Sequence, residues 1–319
     1  MKKLKMKIFE CKWINIKYGI CAGILSILIG CQNSIELTSQ LEIDSVTARL
    51  VPDQRVGICR IIAKAGEKRS IILSGETTSL EAKQEIIKTL NNQGIKLIDS
   101  ILILPDTIKN EKFMGLATLS VINLRKQPDH RSELVSQSIL GTPLLILKAK
   151  NSWLLIQTPD NYIAWTEKSS VRMMNRSEMT AWKKTEKVIY VENSGWIYNS
   201  PGDSGVVGDL VAGSIMEKSG ESASYVNVML PDGRKGFVNK KAIIDFDIFR
   251  NQSLPDGESI IRSASTLLGV PYLWGGSSSK GVDCSGFVQT VFFMNGFILM
   301  RCASLQALHG DMVDISNGF

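Results

Sequence analysis

A cysteine placed just before an apolar helical pattern is the residue of this chain best suited to covalent chemistry. Cys284 follows Gly281-Val282-Asp283 and precedes apolar positions that recur at three- and four-residue steps up to a stop at Asn295-Gly296. This spacing predicts a helix with Cys284 in its first turn, where unpaired amides and the positive end of the helix dipole favour thiolate over thiol. Cys284 is therefore a candidate nucleophile, although a lone cysteine is more often an inert buried thiol.

A glycine-rich segment upstream supplies the surroundings of this thiol. Pro271-Tyr272-Leu273-Trp274-Gly275-Gly276 follows a predicted helix that ends at Gly269, and its two glycines let the backbone pass close to the sulfur. Together with Asp283-Cys284-Ser285-Gly286-Phe287, this segment resembles the signature of the NlpC family of bacterial cell-wall cysteine peptidases. The resemblance covers about Leu254 to Phe319 and implies a partial papain-like α+β catalytic domain over residues 250–319.

The resemblance also implies a reaction and a set of contacts. Cys284 would attack the amide after γ-D-glutamate in a peptidoglycan stem peptide or muropeptide, with no cofactor and no metal. Cys302 stands where the family usually has an aspartate, so either oxidative pairing with Cys284 or a small buried cysteine is open at this position. The residues that the resemblance assigns to substrate binding in this segment are Tyr272, Asp283, Ser285, Arg301 and Ser304.

A thiol nucleophile needs a base within hydrogen-bond reach. The chain has two histidines: His130 lies in a polar turn, and His309 ends a short predicted helix that stops at Gly310. In the family the base is a histidine on a strand that would lie beyond Phe319. The sequence is therefore expected to be C-terminally truncated and inactive as it stands, and the alternative to a peptidase is a catalytically inactive lipoprotein that binds wall peptides.

The first 31 residues predict export and lipid attachment. Residues 1–17 contain six lysines and one glutamate, and the apolar run that follows, Tyr18 to Gly30, is shorter than the ~20 residues that span a bilayer. Leu28-Ile29-Gly30-Cys31 resembles the bacterial lipobox, which implies a signal peptide over residues 1–30 and a lipid anchor at Cys31. We expect a membrane-anchored lipoprotein facing the periplasm or cell surface. Because most of the net charge of +6 belongs to the signal, no nucleic-acid partner is expected.

The remaining sequence predicts an α+β multidomain protein, expected to be a monomer. Residues about 44–106 read as a small β-β-α-β unit, in which Cys59 is interpreted as a buried strand residue. Residues 112–246 contain a repeat with an offset of 72 residues, so that Val135 and Gly141 align with Val207 and Gly213. Short alternating strands separated by Pro-Asp turns predict two small β-barrels, at residues 112–175 and 188–246.

The first barrel resembles the bacterial SH3-like barrel that often accompanies NlpC-type domains. The resemblance rests on Asn123-Leu124-Arg125, Gly141-Thr142-Pro143, Trp153 and Tyr162-Ile163-Ala164-Trp165. It implies that this barrel closes over the active site and contacts the substrate through Glu133 and Tyr162. A solvated turn residue and a barrel-core aromatic are the alternatives for these two positions.

Acyl transfer on lipids or other amides, a third hypothesis for Cys284, fits tandem barrels poorly.

Overall fold

The chain forms two compact units in the computed structural model, which describes residues 34–67, 70–107, 111–202 and 205–311. The first unit comprises residues 34–52 and 58–103, and the second comprises residues 53–57 and 104–311. The predicted signal peptide and Cys31 lie outside the described residues. Within the described ranges, no helix is long and apolar enough to cross a membrane.

The first unit is a three-stranded sheet with two helices, and its predicted β-β-α-β order is confirmed. Strand β1 is antiparallel to β2, and β2 is parallel to β3 across the crossover helix α2. Cys59 is buried at the start of β1, 3.3 Å from the Thr47 hydroxyl. The elements are α1 (34–50), β1 (Cys59–Ala65), β2 (Ser70–Thr77), α2 (Leu80–Asn92) and β3 (Lys96–Ile103).

Helix α1 is not predicted by the sequence pattern. Its apolar residues Ile43 and Val46 pack into the core of the unit with Leu73 and Leu90, all of them buried. Other apolar residues of the helix remain exposed, such as Leu37 and Leu41. The apolar spacing is therefore irregular, which explains why the pattern gives no clear helical signal.

The 72-residue repeat corresponds to two seven-stranded antiparallel sheets with the same strand order. We call residues 114–174 the first barrel and residues 187–245 the second barrel. The sheet orders are β10-β4-β7-β8-β9-β5-β6 and, read in reverse, β17-β11-β14-β15-β16-β12-β13. Helix α3 (Arg176–Lys184) connects them. The first set of strands is β4 (Met114–Ala117), β5 (Val121–Arg125), β6 (Leu134–Ile139), β7 (Pro143–Lys150), β8 (Trp153–Gln157), β9 (Ile163–Glu167) and β10 (Val171–Met174). The second set is β11 (Lys187–Tyr190), β12 (Ser194–Tyr198), β13 (Val206–Val211), β14 (Ile215–Glu221), β15 (Tyr225–Met229), β16 (Lys235–Asn239) and β17 (Ile243–Asp245).

The two barrels meet backbone to backbone at Gly141. Gly141 has φ +78°, and a Cβ atom there would clash with the carbonyl oxygen of Ile215. The amide of Ile215 donates a 2.9 Å hydrogen bond to the carbonyl of Leu140 at the same junction. The junction therefore requires a residue without a side chain.

Gly141→Ala is expected to lower the free energy of unfolding by about 3 kcal/mol, because it adds left-handed backbone strain and a backbone clash. Urea denaturation measures this change. Gly202→Ala is a matched control, since Gly202 also has φ +78° but a Cβ atom added there would have no atom within 4 Å. Equal losses of unfolding free energy in the two variants would show that backbone strain alone causes the loss. The close approach of Gly141 to Ile215 would then not matter for stability.

The last part of the second unit carries the predicted nucleophile. Between residues 246 and 311 its only described strands form a two-residue hairpin, β18 with β19. The helix predicted to end at Gly310 is shorter than expected and stops at Gln306, so that His309 follows it in an exposed turn. With Leu308 left exposed, the extra turn would bury no apolar face. The elements are α4 (Phe246–Arg250), α5 (Gly257–Thr266), β18 (Ser277–Ser278), β19 (Gly281–Val282), α6 (Cys284–Met294) and α7 (Ala303–Gln306).

Candidate active site

Cys284 is the first residue of helix α6, as the sequence pattern predicts, and its side chain is exposed. The helix begins after Asp283, whose Oδ1 accepts a 2.7 Å hydrogen bond from the amide of Gly286. The helix ends at Asn295, followed by Gly296 with φ +84°. An exposed thiol in the first turn of a capped helix is accessible to a substrate carbonyl and held by a defined backbone.

The Asp283 carboxylate also holds the turn before the helix. Arg301 donates to both of its oxygens, at 3.1 Å and 2.6 Å, and the amide of Gly275 donates to Oδ2 at 3.0 Å. Burial opposes ionisation of this carboxyl, but the hydrogen bonds from Arg301, Gly286 and Gly275 hold the pKa of Asp283 below its ordinary value. Asp283 is therefore an ionised, fully hydrogen-bonded group beneath Cys284.

Ser285 belongs to the same network. Its hydroxyl accepts a 2.9 Å hydrogen bond from Arg301 and lies 3.2 Å from Asp283 Oδ1. Asp283 and Ser285 are each 8% exposed, and Arg301 is 2% exposed. Three of the residues that the family resemblance assigns to substrate binding thus contact one another and position the first turn of α6.

Asp283→Asn is expected to lose more stability relative to the wild type at pH 7 than at pH 3. A carboxyl whose pKa is lowered on folding contributes stability above its unfolded pKa, and that contribution disappears as pH falls through the folded value. Urea denaturation of both proteins at the two pH values measures the difference. If the difference in free energy of unfolding between the two proteins were the same at pH 7 and pH 3, the stabilising role of the Asp283 charge would be contradicted.

The first barrel contacts this turn through strand β6. The Gln137 side chain accepts hydrogen bonds from the Ser277 amide and the Ser278 hydroxyl, at 3.1 Å and 2.9 Å. Arg301 Nε donates to the Ser136 hydroxyl at 3.2 Å. The backbone of Gly275 passes so close to the carbonyl of Leu134 that a Cβ atom would not fit. The first barrel therefore packs against and supports the segment that carries Cys284.

Glu133 lies at the edge of this contact. Its Oε1 accepts a 3.0 Å hydrogen bond from the indole N–H of Trp274, and Lys126 lies 3.2 Å from Oε2. The hydrogen bond from Trp274, followed by that from Lys126, lowers the pKa of Glu133. Glu133 is thus an exposed turn residue of the first barrel whose side chain contacts the glycine-rich segment directly.

Tyr162 is buried in the core of the first barrel, next to Cys302. Burial, together with the neighbouring Cys302 thiol, raises the pKa of Tyr162 to about 12, so the hydroxyl stays neutral at physiological pH. Cys284 and Cys302 are both free thiols, and Cys302 interacts with Tyr162 and with Arg55. The structure therefore contains no disulfide between the two cysteines.

Arg55 is a residue of this site that sequence reasoning missed. It belongs to the short segment 53–57, which packs with the second unit, and its carbonyl accepts a 2.7 Å hydrogen bond from the amide of Ile163. Its guanidinium pairs with Asp53 at 2.6 Å and donates to the Ser304 hydroxyl at 3.0 Å. Nothing in the local sequence around Arg55 indicates a contact with a serine so far along the chain.

The remaining predicted residues are Tyr272 and the two histidines, and Tyr272 lies beside the strand that leads to Cys284. Tyr272 forms a backbone bridge with Val282, and its side chain is exposed. His130 lies 3.5 Å from Glu167 and 5.0 Å, ring to ring, from Trp153. Among the described residues, neither His130 nor His309 forms a hydrogen bond with Cys284.

Known proteins match two parts of the chain. Residues 269–318 match the NlpC/P60 family, and residues 124–171 match the bacterial dipeptidyl-peptidase Sh3 domain. Dipeptidyl-peptidase 6 of Lysinibacillus sphaericus is 26% identical over 191 residues, which is 57% of this chain and 70% of that protein. Gamma-D-glutamyl-L-lysine dipeptidyl-peptidase of Bacillus cereus ATCC 10987 is 24% identical over 192 residues, which is 57% of each chain.

A solved structure shares the fold. An NlpC/P60 family protein from Bacillus cereus ATCC 10987 superimposes with a TM-score of 0.57 at 20% identity, over 65% of this chain and 80% of that chain. The chain spans between 57% and 70% of the length of the two curated relatives. The resemblance to NlpC peptidases and to bacterial SH3-like barrels is confirmed. The chain therefore contains two matching segments: residues 269–318 are similar to the NlpC/P60 family, and residues 124–171 are similar to the bacterial dipeptidyl-peptidase Sh3 domain.

Proposed function

We propose that the chain is a cysteine peptidase that hydrolyses the γ-D-glutamyl-L-diamino acid amide of peptidoglycan stem peptides or muropeptides, with Cys284 as the nucleophile. The observation that carries the proposal is the exposed thiol at the capped start of α6, fixed from below by Asp283 and Arg301. The name of the Bacillus cereus relative, Gamma-D-glutamyl-L-lysine dipeptidyl-peptidase, supports the choice of bond.

The reaction assigns a separate task to each part of the site. The Cys284 thiolate attacks the γ-carbonyl carbon, and the carbonyl π electrons move to oxygen. When the carbonyl re-forms, the C–N bond breaks, and the leaving amine takes a proton from solvent water, which also accepts the proton of the thiol. Water then hydrolyses the thioester and releases the γ-carboxylate. The Asp283–Arg301 network keeps the first turn of α6, and with it the sulfur, in position.

The substrate contacts of the first barrel remain part of this proposal. Glu133 has a second carboxylate oxygen beside the Lys126 ammonium, close to the segment that leads to Cys284. Tyr162 offers a neutral hydroxyl next to Cys302, and Tyr272 presents an exposed ring before the hairpin. Ser304 lies beside Arg55. We propose that the stem peptide runs between these groups.

A second candidate is binding of wall peptides without turnover. It is favoured by the positions of the histidines, because neither His130 nor His309 hydrogen-bonds to Cys284 among the described residues. A protein whose Cys284 thiol lacks a proton acceptor would still have the same peptide-binding site. The two candidates therefore predict the same binding and differ in product release.

Alkylation of the thiols with iodoacetamide, followed by peptide mass spectrometry, tests the binding site. Cys284 is expected to react faster than the buried Cys59, and L-Ala-γ-D-Glu-L-Lys is expected to slow the reaction of Cys284 only. Cys59 is the internal control, since it lies in the other unit of the chain. Labelling of Cys284 that the peptide does not change would overturn both candidates.

We also propose that the chain is exported, carries a lipid on Cys31 and acts as a monomer at a membrane surface. The support is the lysine-rich start, the apolar run to Gly30 and the Leu28-Ile29-Gly30-Cys31 sequence. Expression in a bacterial host with labelled fatty acid tests the anchor. Label should be incorporated in the wild type and lost in Cys31→Ala, and equal labelling of both would contradict the proposal.

A further inference from the structure

A cavity of about 530 Å³ lies at the surface of the second barrel, beside the hairpin formed by β18 and β19. Residues of β12, β13 and β16 form most of its wall, and Lys280 lines it from the turn of the hairpin. The volume is within the range of about 300–1,000 Å³ that small-molecule sites span. None of the described residues that line it is assigned to peptide binding, so the cavity is separate from the peptide site at Cys284.

The indole ring of Trp196 is the largest open apolar surface of this cavity. Trp196 is 52% exposed, and among the described residues its ring stacks on no other aromatic ring and faces no cation. Of the five described tryptophans, three are buried, and Trp274 donates its indole N–H to Glu133. A flat aromatic surface left open in a concave site favours a ligand that also has a flat apolar face.

A pair of opposite charges lies next to this ring. Asp209 is directly opposite Trp196 in the antiparallel pairing of β12 with β13, so the two side chains share one face of the sheet. The Asp209 carboxylate accepts hydrogen bonds from Lys280 and, at 2.8 Å, from the Ser120 hydroxyl. Burial opposes ionisation, but these bonds hold the pKa of Asp209 below its ordinary value. The two charged side chains remain 41% and 49% exposed, so a ligand in the cavity can reach both.

The paired charges decide the class of ligand. The Lys280 ammonium repels a cation, and the Asp209 carboxylate repels an anion. A neutral molecule with adjacent hydroxyls can donate to the carboxylate and accept from the ammonium at the same time. Ser194 and Tyr198 add two side-chain hydroxyls that make no hydrogen bond among the described residues. A pyranose sugar has both required properties, since its ring presents a flat face of C–H groups and a rim of hydroxyls.

We propose that this cavity binds a neutral carbohydrate, with one pyranose ring packed on the face of Trp196 and adjacent hydroxyls bonded to Asp209 and Lys280. The second barrel would then hold the protein on a polysaccharide while the thiol acts on a peptide. The proposal does not depend on the chemistry of Cys284, because the cavity and the thiol have no lining residue in common.

Isothermal titration of the full chain with N,N′,N″-triacetylchitotriose tests the proposal. Saturable binding is expected in the wild type, about tenfold or more weaker binding in Trp196→Ala, and weaker binding in Asp209→Asn. Trp274→Ala is the matched control, because Trp274 is also exposed but does not line the cavity, and it should bind the sugar as the wild type does. Trp196→Ala should unfold at nearly the wild-type urea concentration, since the ring that it removes is exposed.

Two further titrations distinguish the sources of the ligand. Cellotriose has the same linked rings without N-acetyl groups, so it distinguishes an acetylated polysaccharide from an unacetylated one, and dependence on Trp196 supports the proposal for either. The peptide L-Ala-γ-D-Glu-L-Lys should not displace the bound sugar. The proposal would be overturned if neither trisaccharide bound, if Trp196→Ala or Asp209→Asn had the wild-type affinity, if Trp274→Ala lost as much affinity as Trp196→Ala, or if the peptide displaced the sugar at equal concentration.

Discussion

Replacing Arg301 with methionine is expected to lower the free energy of unfolding by about 3 to 5 kcal/mol. Arg301 and Asp283 are both buried, and their closest nitrogen and oxygen atoms are 2.6 Å apart. Methionine fills much of the volume of arginine but donates no hydrogen bond, so it leaves the Asp283 charge buried and uncompensated. Urea denaturation followed by tryptophan fluorescence measures the loss, since Trp274 lies in the segment that the pair holds.

Two controls separate charge compensation from packing. Arg262→Met removes an exposed ion pair with Glu258 and is expected to cost far less. The double variant Arg301→Met with Asp283→Asn removes both charges, and it should recover part of the stability lost in the single variant. A loss in Arg301→Met no greater than that in Arg262→Met, or a double variant without recovery, would contradict charge compensation.

The parts of the site that the sequence predicts correctly are those encoded within one helix or one repeat. The start of α6 at Cys284 follows from Asp283 as a capping residue and from apolar residues at helical spacing. The offset of 72 residues aligns β6 in the sequence with β13, and these two strands occupy the same position in two sheets of identical strand order. Both features depend on neighbours within a few residues or on a comparison of the chain with itself.

The parts that the sequence does not predict depend on contacts between distant residues. The family resemblance suggests a substrate role for Asp283 and Ser285, and it does not indicate that both side chains are also hydrogen-bonded to Arg301. Arg55 reaches Ser304 only because segment 53–57 pairs with the strand that contains Ile163. Apolar periodicity describes which face of an element is buried, and it carries no information on which loop will meet it.

The contact of Asp160 with α6 shows the same limit. In the sequence, Asp160 is part of a Pro-Asp turn of the repeat. In the structure it is buried and accepts a hydrogen bond from Gln289 of α6. A turn aspartate and a helix glutamine have ordinary local sequence roles, so the sequence does not predict their contact.

The central claim is that Cys284 breaks the γ-D-glutamyl bond of a wall peptide. Cys284→Ala is expected to reduce release of L-lysine from L-Ala-γ-D-Glu-L-Lys by about 10⁴-fold or more, because it removes the atom that forms the thioester. Binding of the peptide should survive, since the Asp283–Arg301 network and the first barrel are untouched. Cys59→Ala, a buried thiol of the other unit, is the matched control and should retain the wild-type rate.

The most direct test is therefore a time course of L-lysine release from this tripeptide by the full chain, run in parallel with titration of the peptide. We expect release by the wild type and by Cys59→Ala, and binding without release by Cys284→Ala. Binding without release by the wild type would contradict the peptidase and leave a wall-peptide-binding protein. Release by Cys284→Ala at the wild-type rate would show that another group performs the reaction.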